Sequence, residues 1–262
     1  MTRKMILDKT SAYLMLLASV WALSFPLQAH SQNPATDHGD VANQILKRAD
    51  EVRFPDIGFE VNIRIRTIQG GTLKEERSLR VLSKGNSNTL VMTTEPASER
   101  GQILLMKDRD LWLFLPSVSQ PVRLSLAQRL LGQVSYGDIA RANFSGDYTP
   151  QLTATERLEG DELYVLELKA IDKGVTYQRV RYWVRKANYW PYRAEFYSLS
   201  GRLLKTCAYD GFRELSGQVR PTRLVMTDAL RQGEQSILEY GAMRLRDLPD
   251  RVFTKEYLRR LE

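Results

Sequence analysis

Histidine, a residue that often serves enzymes as a general acid or base, is confined to the amino-terminal region of this 262-residue chain. The only two copies are His30 and His38. Serine–histidine–aspartate triads, cysteine–histidine pairs and the common zinc sites all need histidine in the folded part of a protein. The chain also lacks a glycine-rich phosphate loop, a CxxC pair and a GxSxG motif. We therefore expect no catalytic residue, no metal site and no cofactor.

The acidic residues are scattered and do not form an evident catalytic pair. Asp108 and Asp110 flank one tight turn, and Glu159, Asp161 and Glu162 flank another. Turns are an ordinary place for aspartate, and nothing in the sequence indicates a raised pKa. A hydrolase or transferase that uses carboxylates stays an alternative, and it would require two carboxyl groups within about 10 Å of each other in a cleft.

Large apolar side chains are more abundant and suggest binding instead of catalysis. The residues concerned are Trp112, Phe114, Phe144, Tyr182, Trp183, Trp190, Tyr192 and Phe196, together with Met92, Met106, Leu130 and Leu131. Methionine suits an adaptable apolar cavity because its thioether repacks readily. Such a cavity would favour acyl chains, since each buried methylene contributes about 0.8 kcal/mol. The same residues would equally fill an ordinary core, and the sequence leaves both interpretations open.

The most apolar stretch, Arg100–Phe144, predicts two strands followed by their own cover. The strands Gln102–Met106 and Leu111–Leu115 are apolar on both faces, so each must be covered twice. Residues 125–144, called the lid below, are predicted to form two short helices.

Two capping patterns support the helices of the lid. Ser125 with Gln128 resembles a capping box, and Gly132 is a suitable end for that helix. Ser135 with Asp138 repeats the pattern before a second helix that runs to Phe144. Helices this short are marginal alone in water. We therefore expect them to lie on an apolar surface.

The rest of the chain predicts an antiparallel sheet. Asp40 is a candidate N-cap for a helix over Val41–Val52, and residues 59–66 alternate apolar with polar side chains. Further strand candidates are Leu73–Leu82, Thr89–Thr94, Leu152–Leu158, Leu163–Ala170, Thr176–Arg185, Tyr192–Tyr197, Leu203–Tyr209, Thr222–Leu230 and Ser236–Leu245. Short turns between neighbouring strands indicate a meander. A single sheet of roughly a dozen strands should curl, and short helices can plug its concave face.

Arg77 shares a face of the second predicted strand with Leu79 and Val81. If that strand pairs along its whole length, Arg77 points inward, and we expect it to donate to backbone carbonyls of the covering helix as a latch of the lid. The alternative is that pairing begins only after Arg77, because arginine is seldom buried without a partner.

The amino terminus has the layout of a secretory signal peptide. Arg3, Lys4 and Lys9 precede the apolar run Ala12–Leu23, and small polar residues follow. A membrane anchor is the alternative, but the run is shorter than the roughly 20 residues that span a bilayer. We expect a signal peptide (residues 1–31), a flexible leader (32–39) and one domain (40–262).

The net charge limits which partners we expect, and the cysteine content indicates how the domain is stabilised. The chain has 38 basic and 31 acidic residues, a net charge of +7, with no basic block. This mild excess fits contact with an anionic membrane surface, and we expect no nucleic acid partner. The single cysteine, Cys207, cannot form an internal disulfide, so an exported domain must rely on its apolar core. We expect a buried, unreactive thiol.

From Asp40 to its end the chain resembles the outer-membrane lipoprotein-sorting proteins of the LolA/LolB-like family, particularly the subgroup found beside RND-type exporters. The resemblance is carried, in order, by Arg100-Gly101, Leu104-Leu105-Met106, Trp112-Leu113-Phe114-Leu115-Pro116, Gly132, Tyr136-Gly137-Asp138-Ile139, Tyr182-Trp183-Val184, Pro191-Tyr192-Arg193, Leu248-Pro249-Asp250 and Phe253-Thr254. It implies an α+β, mostly antiparallel fold: an incomplete curved β-barrel of about eleven strands with short helices over its concave face.

The resemblance also implies a non-enzymatic function. It predicts a soluble periplasmic carrier that shields acyl chains of a lipid or lipoprotein between membranes, with an inner-membrane RND-type transporter and an outer-membrane acceptor as partners. We expect no lipid on its amino terminus, because no cysteine lies near the predicted cleavage site. The alternative is an accessory subunit of such a transporter, with a filled core. The residues expected to line the cavity and lid are Val61, Ile63, Ile65, Met92, Leu104, Met106, Trp112, Phe114, Leu130, Leu131, Ile139 and Phe144, with Arg77 as the latch.

Overall fold

The computed structural model describes residues 34–258, so the predicted signal peptide lies outside the described residues. The first helix, α1 (Pro34–Arg53), includes the predicted helix but begins six residues before Asp40. The helix thus includes residues 34–39 of the predicted leader. The buried stripe of α1 consists of Ala42, Ile45, Leu46 and Ala49. This stripe places the helix against the sheet.

Seventeen strands follow within the described residues. They are β1 (Phe59–Gln69), β2 (Thr72–Lys84), β3 (Asn88–Glu95), β4 (Ile103–Lys107), β5 (Asp110–Phe114), β6 (Val122–Leu124), β7 (Arg129–Leu131), β8 (Val134–Ser135), β9 (Tyr148–Leu158), β10 (Asp161–Ala170), β11 (Arg179–Arg185), β12 (Pro191–Tyr197), β13 (Leu203–Asp210), β14 (Arg213–Leu215), β15 (Gln218–Arg220), β16 (Arg223–Asp228) and β17 (Glu234–Leu245). Two further helices are α2 (Tyr136–Ala140) and α3 (Lys255–Leu258).

Thirteen strands form one antiparallel sheet in the order β6-β5-β4-β3-β2-β1-β17-β16-β13-β12-β11-β10-β9. The mostly antiparallel, curved fold is confirmed, and the sheet is not closed because its edge strands β6 and β9 do not pair. The predicted strands all occur, and the sheet has two more than the eleven expected. The β14–β15 hairpin, which turns at Ser216 and Gly217 with positive φ at both residues, was not predicted.

Alternation along the strands places the core on two sides of the sheet. In β4 and β5, Leu104, Met106 and Leu111 join the main core on the concave side. Their neighbours Leu105 and Phe114 join a second cluster on the opposite face, which the carboxyl-terminal segment covers with Leu248, Val252, Phe253 and Leu258. The prediction that both strands are covered twice is therefore confirmed.

The prediction of a first helix in the lid is wrong, because residues 129–135 form the β7–β8 hairpin. The predicted capping contacts do occur: Ser125 N–H donates to Gln128 Oε1 at 2.6 Å, and Ala127 N–H donates to Ser125 Oγ at 3.3 Å. They close a single turn, and Gly132, with φ of 52°, then reverses the chain as only glycine does easily.

The second predicted helix of the lid is present as α2, and its capping pattern is confirmed. Ser135 N–H donates to Asp138 Oδ2 at 2.8 Å. The helix ends at Ala140, four residues earlier than predicted, because the backbone N–H of Phe144 bonds the carboxylate of Asp50 instead of a helical carbonyl.

Candidate functional site

The concave face of the sheet is apolar and is covered by α1, the lid and the loop between β10 and β11. The cover contributes Leu46 and Ala49 from α1, Leu131 and Ile139 from the lid, and Val175 from the loop. Two small spaces of about 20 Å³ each remain beneath the lid, and a wider space of about 270 Å³ lies beside α1, next to Leu46 and Tyr148. A space of about 20 Å³ holds about one water molecule. Beneath the lid, the concave side is therefore filled in this conformation.

Nine of the predicted cavity residues come together in this core. They are Val61, Ile63, Ile65, Leu104, Met106, Leu130, Leu131, Ile139 and Phe144. The prediction is wrong for Met92, Trp112 and Phe114, which lie in the cluster on the opposite face. The reason is the two-residue period of a strand, which sends neighbours such as Leu111 and Trp112 to opposite sides.

Arg77 lies opposite Ile65 in the β1–β2 ladder, so pairing extends past it and its side chain points inward. The side chain is 12% exposed, and Nη2 pairs with Glu99 at 2.7 Å. Nη1 donates to the backbone carbonyl of Leu130 at 3.4 Å. Arg77 thus contacts a carbonyl of the lid, as the latch requires, although the partner lies in a hairpin and not in a helix.

Lys205 forms a second tie between the sheet and the lid, which sequence reasoning missed. It is 4% exposed on β13, and its Nζ donates to Asp138 Oδ2 at 2.8 Å and to the carbonyl of Gln133. Tyr177 Oη donates to the same carboxylate at 2.8 Å. The available signal was the inward position of Lys205 in the alternating run with Cys207 and Tyr209.

Asp50 and Arg53 form a third tie, at the carboxyl end of α1. Asp50 is buried, and its carboxylate accepts the backbone N–H groups of Phe144 at 3.0 Å and Ser145 at 2.7 Å. Arg53 Nη1 lies 3.6 Å from Asp50 Oδ1. Burial raises the pKa of Asp50, and the charge of Arg53 and these hydrogen bonds offset part of that rise.

The carboxyl end of the lid is anchored by Arg141. Its guanidinium donates to the carbonyl of Asp108 at 2.8 Å and pairs with Asp147, which also binds Arg109. Asn86 Nδ2 donates to the carbonyl of Asn143 at 3.2 Å. The amino-terminal half of the lid has fewer such contacts, so we expect movement to begin there.

Several titratable groups of the core have raised pKa values. Burial raises the pKa of Cys207 to about 12, so its thiol stays protonated at neutral pH, as expected for a packing residue. Burial also raises the pKa of Tyr148, Tyr177 and Tyr182. In residues 34–258, no group of three or more His, Cys, Asp and Glu residues is arranged to hold a metal ion.

A larger groove, of about 640 Å³, crosses the sheet but has a different character. Its lining carries charges of both signs, including Arg64, Glu95, Arg223 and Glu239, beside the apolar side chains of Ile63, Leu79 and Tyr240. The charged side chains make it less suited to an acyl chain than the face beneath the lid. Among the described helices, none combines the length and apolar composition needed to cross a bilayer.

Comparison with known proteins assigns the fold to a family. A family model described as "Uncharacterized protein" matches residues 85–260. No curated protein matches the chain. The chain is similar to the crystal structure of a LolA superfamily protein from Nitrosomonas europaea, with 59% identity over 82% of this chain and 98% of that one and a TM-score of 0.79.

Two more distant structures share the fold. A DUF1329 family protein from Desulfovibrio piger is 23% identical, with a TM-score of 0.73 and coverage of 84% of this chain and 99% of that one. A domain described as an outer membrane lipoprotein-sorting protein, from Vibrio parahaemolyticus, is 21% identical, with a TM-score of 0.70 and the same coverage. The open antiparallel sheet, its covered concave face and the 59% identity to the Nitrosomonas protein together show that this chain belongs to the LolA superfamily.

Proposed function

We propose that the protein is a non-enzymatic carrier that shields the acyl chains of a lipid or lipoprotein beneath its lid. The observation that carries the proposal is the apolar concave face, whose cover of short elements is attached to the sheet by a few polar ties. Arg77 and Lys205 bind the lid from the sheet, Asp50 binds it from α1, and Arg141 fixes its carboxyl end. The amino-terminal half of the lid has fewer of these contacts, so it can be displaced without unfolding of the sheet.

The filled concave side fits the resting state of such a carrier. An open apolar cavity would be hydrated at a free-energy cost, and closure of the lid removes that cost. When an acyl chain enters, it would replace the apolar side chains of the lid, for example Leu131 and Ile139, against the same sheet residues. The sheet residues stay buried in this exchange, and burial of the acyl chain offsets the exposure of the displaced lid side chains.

The family supports this function and suggests the setting. The Vibrio structure with the same fold is described as an outer membrane lipoprotein-sorting protein. By this likeness we place the protein in the periplasm, after removal of its signal peptide. An inner-membrane RND-type transporter and an outer-membrane acceptor are the partners we propose.

A second candidate is an accessory subunit of such a transporter, with a permanently filled core. The observation that favours it is the enclosed volume of about 20 Å³, which admits no acyl chain without movement. The two candidates differ in one property. A carrier must open its lid to take up lipid, whereas an accessory subunit has no need to.

A reversible disulfide that locks the lid separates the candidates. A Cβ atom at Gly137 in α2 would lie 3.0 Å from Cβ of Thr176 in the β10–β11 loop. A disulfide spans about 3.5–4.5 Å between Cβ atoms, so a small shift accommodates Gly137→Cys with Thr176→Cys. We expect the oxidised variant to lose uptake of a fluorescent fatty acid and the reduced variant to regain it. Buried Cys207 does not compete for the new pair.

The controls for the lock are Thr176→Cys alone and wild type under both redox conditions, neither of which should respond to oxidant. Equal uptake by the oxidised and reduced double variant would show that the lid does not gate binding. Absence of uptake by wild type, together with absence of co-purifying lipid in native mass spectrometry, would support the accessory subunit.

The latch role of Arg77 gives a separate prediction. Arg77→Leu removes the bond to Leu130 and should speed release of bound fatty acid, because the amino-terminal half of the lid then opens more often. Stopped-flow transfer to acceptor vesicles measures this rate. Arg80→Leu is the matched control. Arg80 lies on the same strand, but its side chain does not contact the lid and pairs instead with Glu60, at a distance of 2.9 Å. Equal release rates for Arg77→Leu and Arg80→Leu would show that Arg77 does not act as a latch of the lid.

A further inference from the structure

Arg53 is the last residue of α1, and its side chain lies inside the concave core. Its guanidinium has at least one N–H group without a hydrogen-bond acceptor. The residue is 7% exposed, and no described residue accepts a hydrogen bond from Nη1. The guanidinium instead faces two aromatic rings, 4.6 Å from the ring centre of Phe144 and 5.6 Å from that of Tyr209. An unpaired donor in an apolar core is costly. It therefore indicates an acceptor that binds in another conformation.

Asp50 does not fill this need. Its closest oxygen lies 3.6 Å from Arg53 Nη1, beyond hydrogen-bonding distance. Both carboxylate oxygens already accept backbone N–H groups, from Phe144 and Ser145. Asp50 thus balances the charge of Arg53 but leaves donors of the guanidinium free.

A second unused donor lies beside the same lid residue. Tyr182 Oη is buried next to the guanidinium of Arg53, and it makes no hydrogen bond of good geometry with any described residue. Its ring packs edge-on against Phe144, with ring centres 5.2 Å apart. Arg53 and Tyr182 therefore both face Phe144, which belongs to the lid. Displacement of Phe144 would uncover both donors at once.

The small space that Arg53 borders has apolar walls on the side of the sheet, formed by Phe196, Leu224 and Met226. The charged side chains that also line it, Asp138, Arg141 and Asp147, are ion-paired with one another or with neighbouring residues. Apolar walls around a group of donors select a ligand with a hydrocarbon chain and an oxygen that only accepts hydrogen bonds. Carboxylates and phosphates are such groups, and a guanidinium binds both through paired N–H donors.

We propose that Arg53 is the headgroup site of this protein and that the ligand is an amphiphile with an anionic oxygen group, a carboxylate or a phosphate, on its acyl chain. The proposal rests on the carrier function proposed above and names its ligand class. Displacement of the amino-terminal half of the lid admits the chain, and movement of the Phe144 ring, with its backbone still bound to Asp50, exposes Arg53 to the headgroup. Tyr182 donates a second hydrogen bond to the same anion.

The test compares ligands that share one chain and differ in the headgroup. Hexadecanol, hexadecanoate and hexadecyl phosphate compete with a neutral fluorescent acyl ester for binding to the wild-type protein. We expect at least one anion to bind about tenfold or more tightly than hexadecanol, the range for a charge-assisted hydrogen bond. The tighter of the two anions identifies the headgroup as a carboxylate or a phosphate.

Three variants assign the preference to Arg53. In Arg53→Met the preference for the anions, taken as the ratio of their affinities to that of hexadecanol in the same variant, should fall to within about twofold, and Arg53→Lys should retain part of it. Arg220→Met is the matched control. Arg220 is 3% exposed at the same end of α1, but its donors bind the carbonyls of Glu51 and Val52, at 2.6 and 3.0 Å. Its loss should leave the preference intact.

The outcomes separate this proposal from the carrier function. Wild type that binds hexadecanol as tightly as both anions overturns the headgroup site but keeps the carrier. The same holds if Arg53→Met retains the full preference. Failure to bind any of the three ligands overturns the carrier function itself. If Arg53→Met does not fold, the ratio of anion to hexadecanol affinity in the wild-type protein and in Arg53→Lys still tests the headgroup site.

Discussion

Replacement of Asp50 by alanine should lower the free energy of unfolding by about 3–5 kcal/mol, because it leaves a buried guanidinium without its counter-charge. The same change removes the acceptor for the backbone N–H groups of Phe144 and Ser145, which hold the end of the lid against α1. For a domain of this size, each kcal/mol lowers Tm by about 2–4 °C. Thermal unfolding followed by circular dichroism should therefore show a loss of roughly 6–20 °C.

Glu51→Ala is the matched control for this prediction. Glu51 is the neighbouring acidic residue on α1, but it is exposed, and only its backbone carbonyl has a structural partner. Its loss should change stability by no more than about 0.5 kcal/mol. Asp50→Asn should cost less than Asp50→Ala, because the amide oxygen still accepts a backbone N–H. Equal stability of the Asp50→Ala and Glu51→Ala variants would mean that the carboxylate of Asp50 does not hold the lid.

The sheet could be predicted from sequence because its signals are local. Alternation in residues 59–66 places Val61, Ile63 and Ile65 on the buried face, as observed. The two strands that are apolar on both faces predict covers on both sides, and both covers exist. Sequence could not say which cover each residue meets, so Trp112 and Phe114 were assigned to the wrong side.

The lid was harder to predict because its local signals are ambiguous. The contacts of Ser125 and Gln128 form in the structure, but one closed turn can lead into a helix or a strand. The outcome depends on Gly132, whose turn packs against Thr67 and Ser236 on distant strands. Those partners are remote in sequence, and no local pattern reveals them.

The polar ties show a further limit. Asp50 and Arg53 continue the buried stripe of α1 from Leu46 at spacings of four and three residues, so their burial was detectable. The partner of Asp50 is an amide 94 residues away, which no single sequence reveals. A charged residue on an apolar face is thus a usable signal for a site, but it does not identify the second half of that site.

Replacement of Lys205 by methionine should cost about 3–5 kcal/mol and should loosen the lid before the sheet. The variant keeps most of the side-chain volume but leaves the carboxylate of Asp138 buried without its cation. Addition of Asp138→Asn should recover much of the loss, because replacing both partners of a buried pair removes the uncompensated charge. Chemical denaturation of the single and double variants measures both effects.

Native-state hydrogen exchange locates the loosening. Amides of residues 133–140 should exchange faster in Lys205→Met, since Lys205 contacts Gln133 and Asp138. Amides of strand β10, which is paired on both sides and lies away from Lys205, should change much less. Lys186→Met is the matched control: Lys186 pairs with Glu162 at 3.3 Å on the surface, where an ion pair contributes about 0–1 kcal/mol. It should leave both sets of amides unchanged.

Lys205→Met also tests whether motion of the lid controls uptake of fatty acid. The two candidate functions predict different uptake rates when the lid is packed more loosely. In a carrier, a lid that opens more often admits the chain faster, so Lys205→Met should take up fluorescent fatty acid at a higher initial rate despite its lower stability. In an accessory subunit with a filled core, the variant would lose stability and gain no uptake. Faster exchange over residues 133–140 without faster uptake would therefore contradict the gating role of the lid.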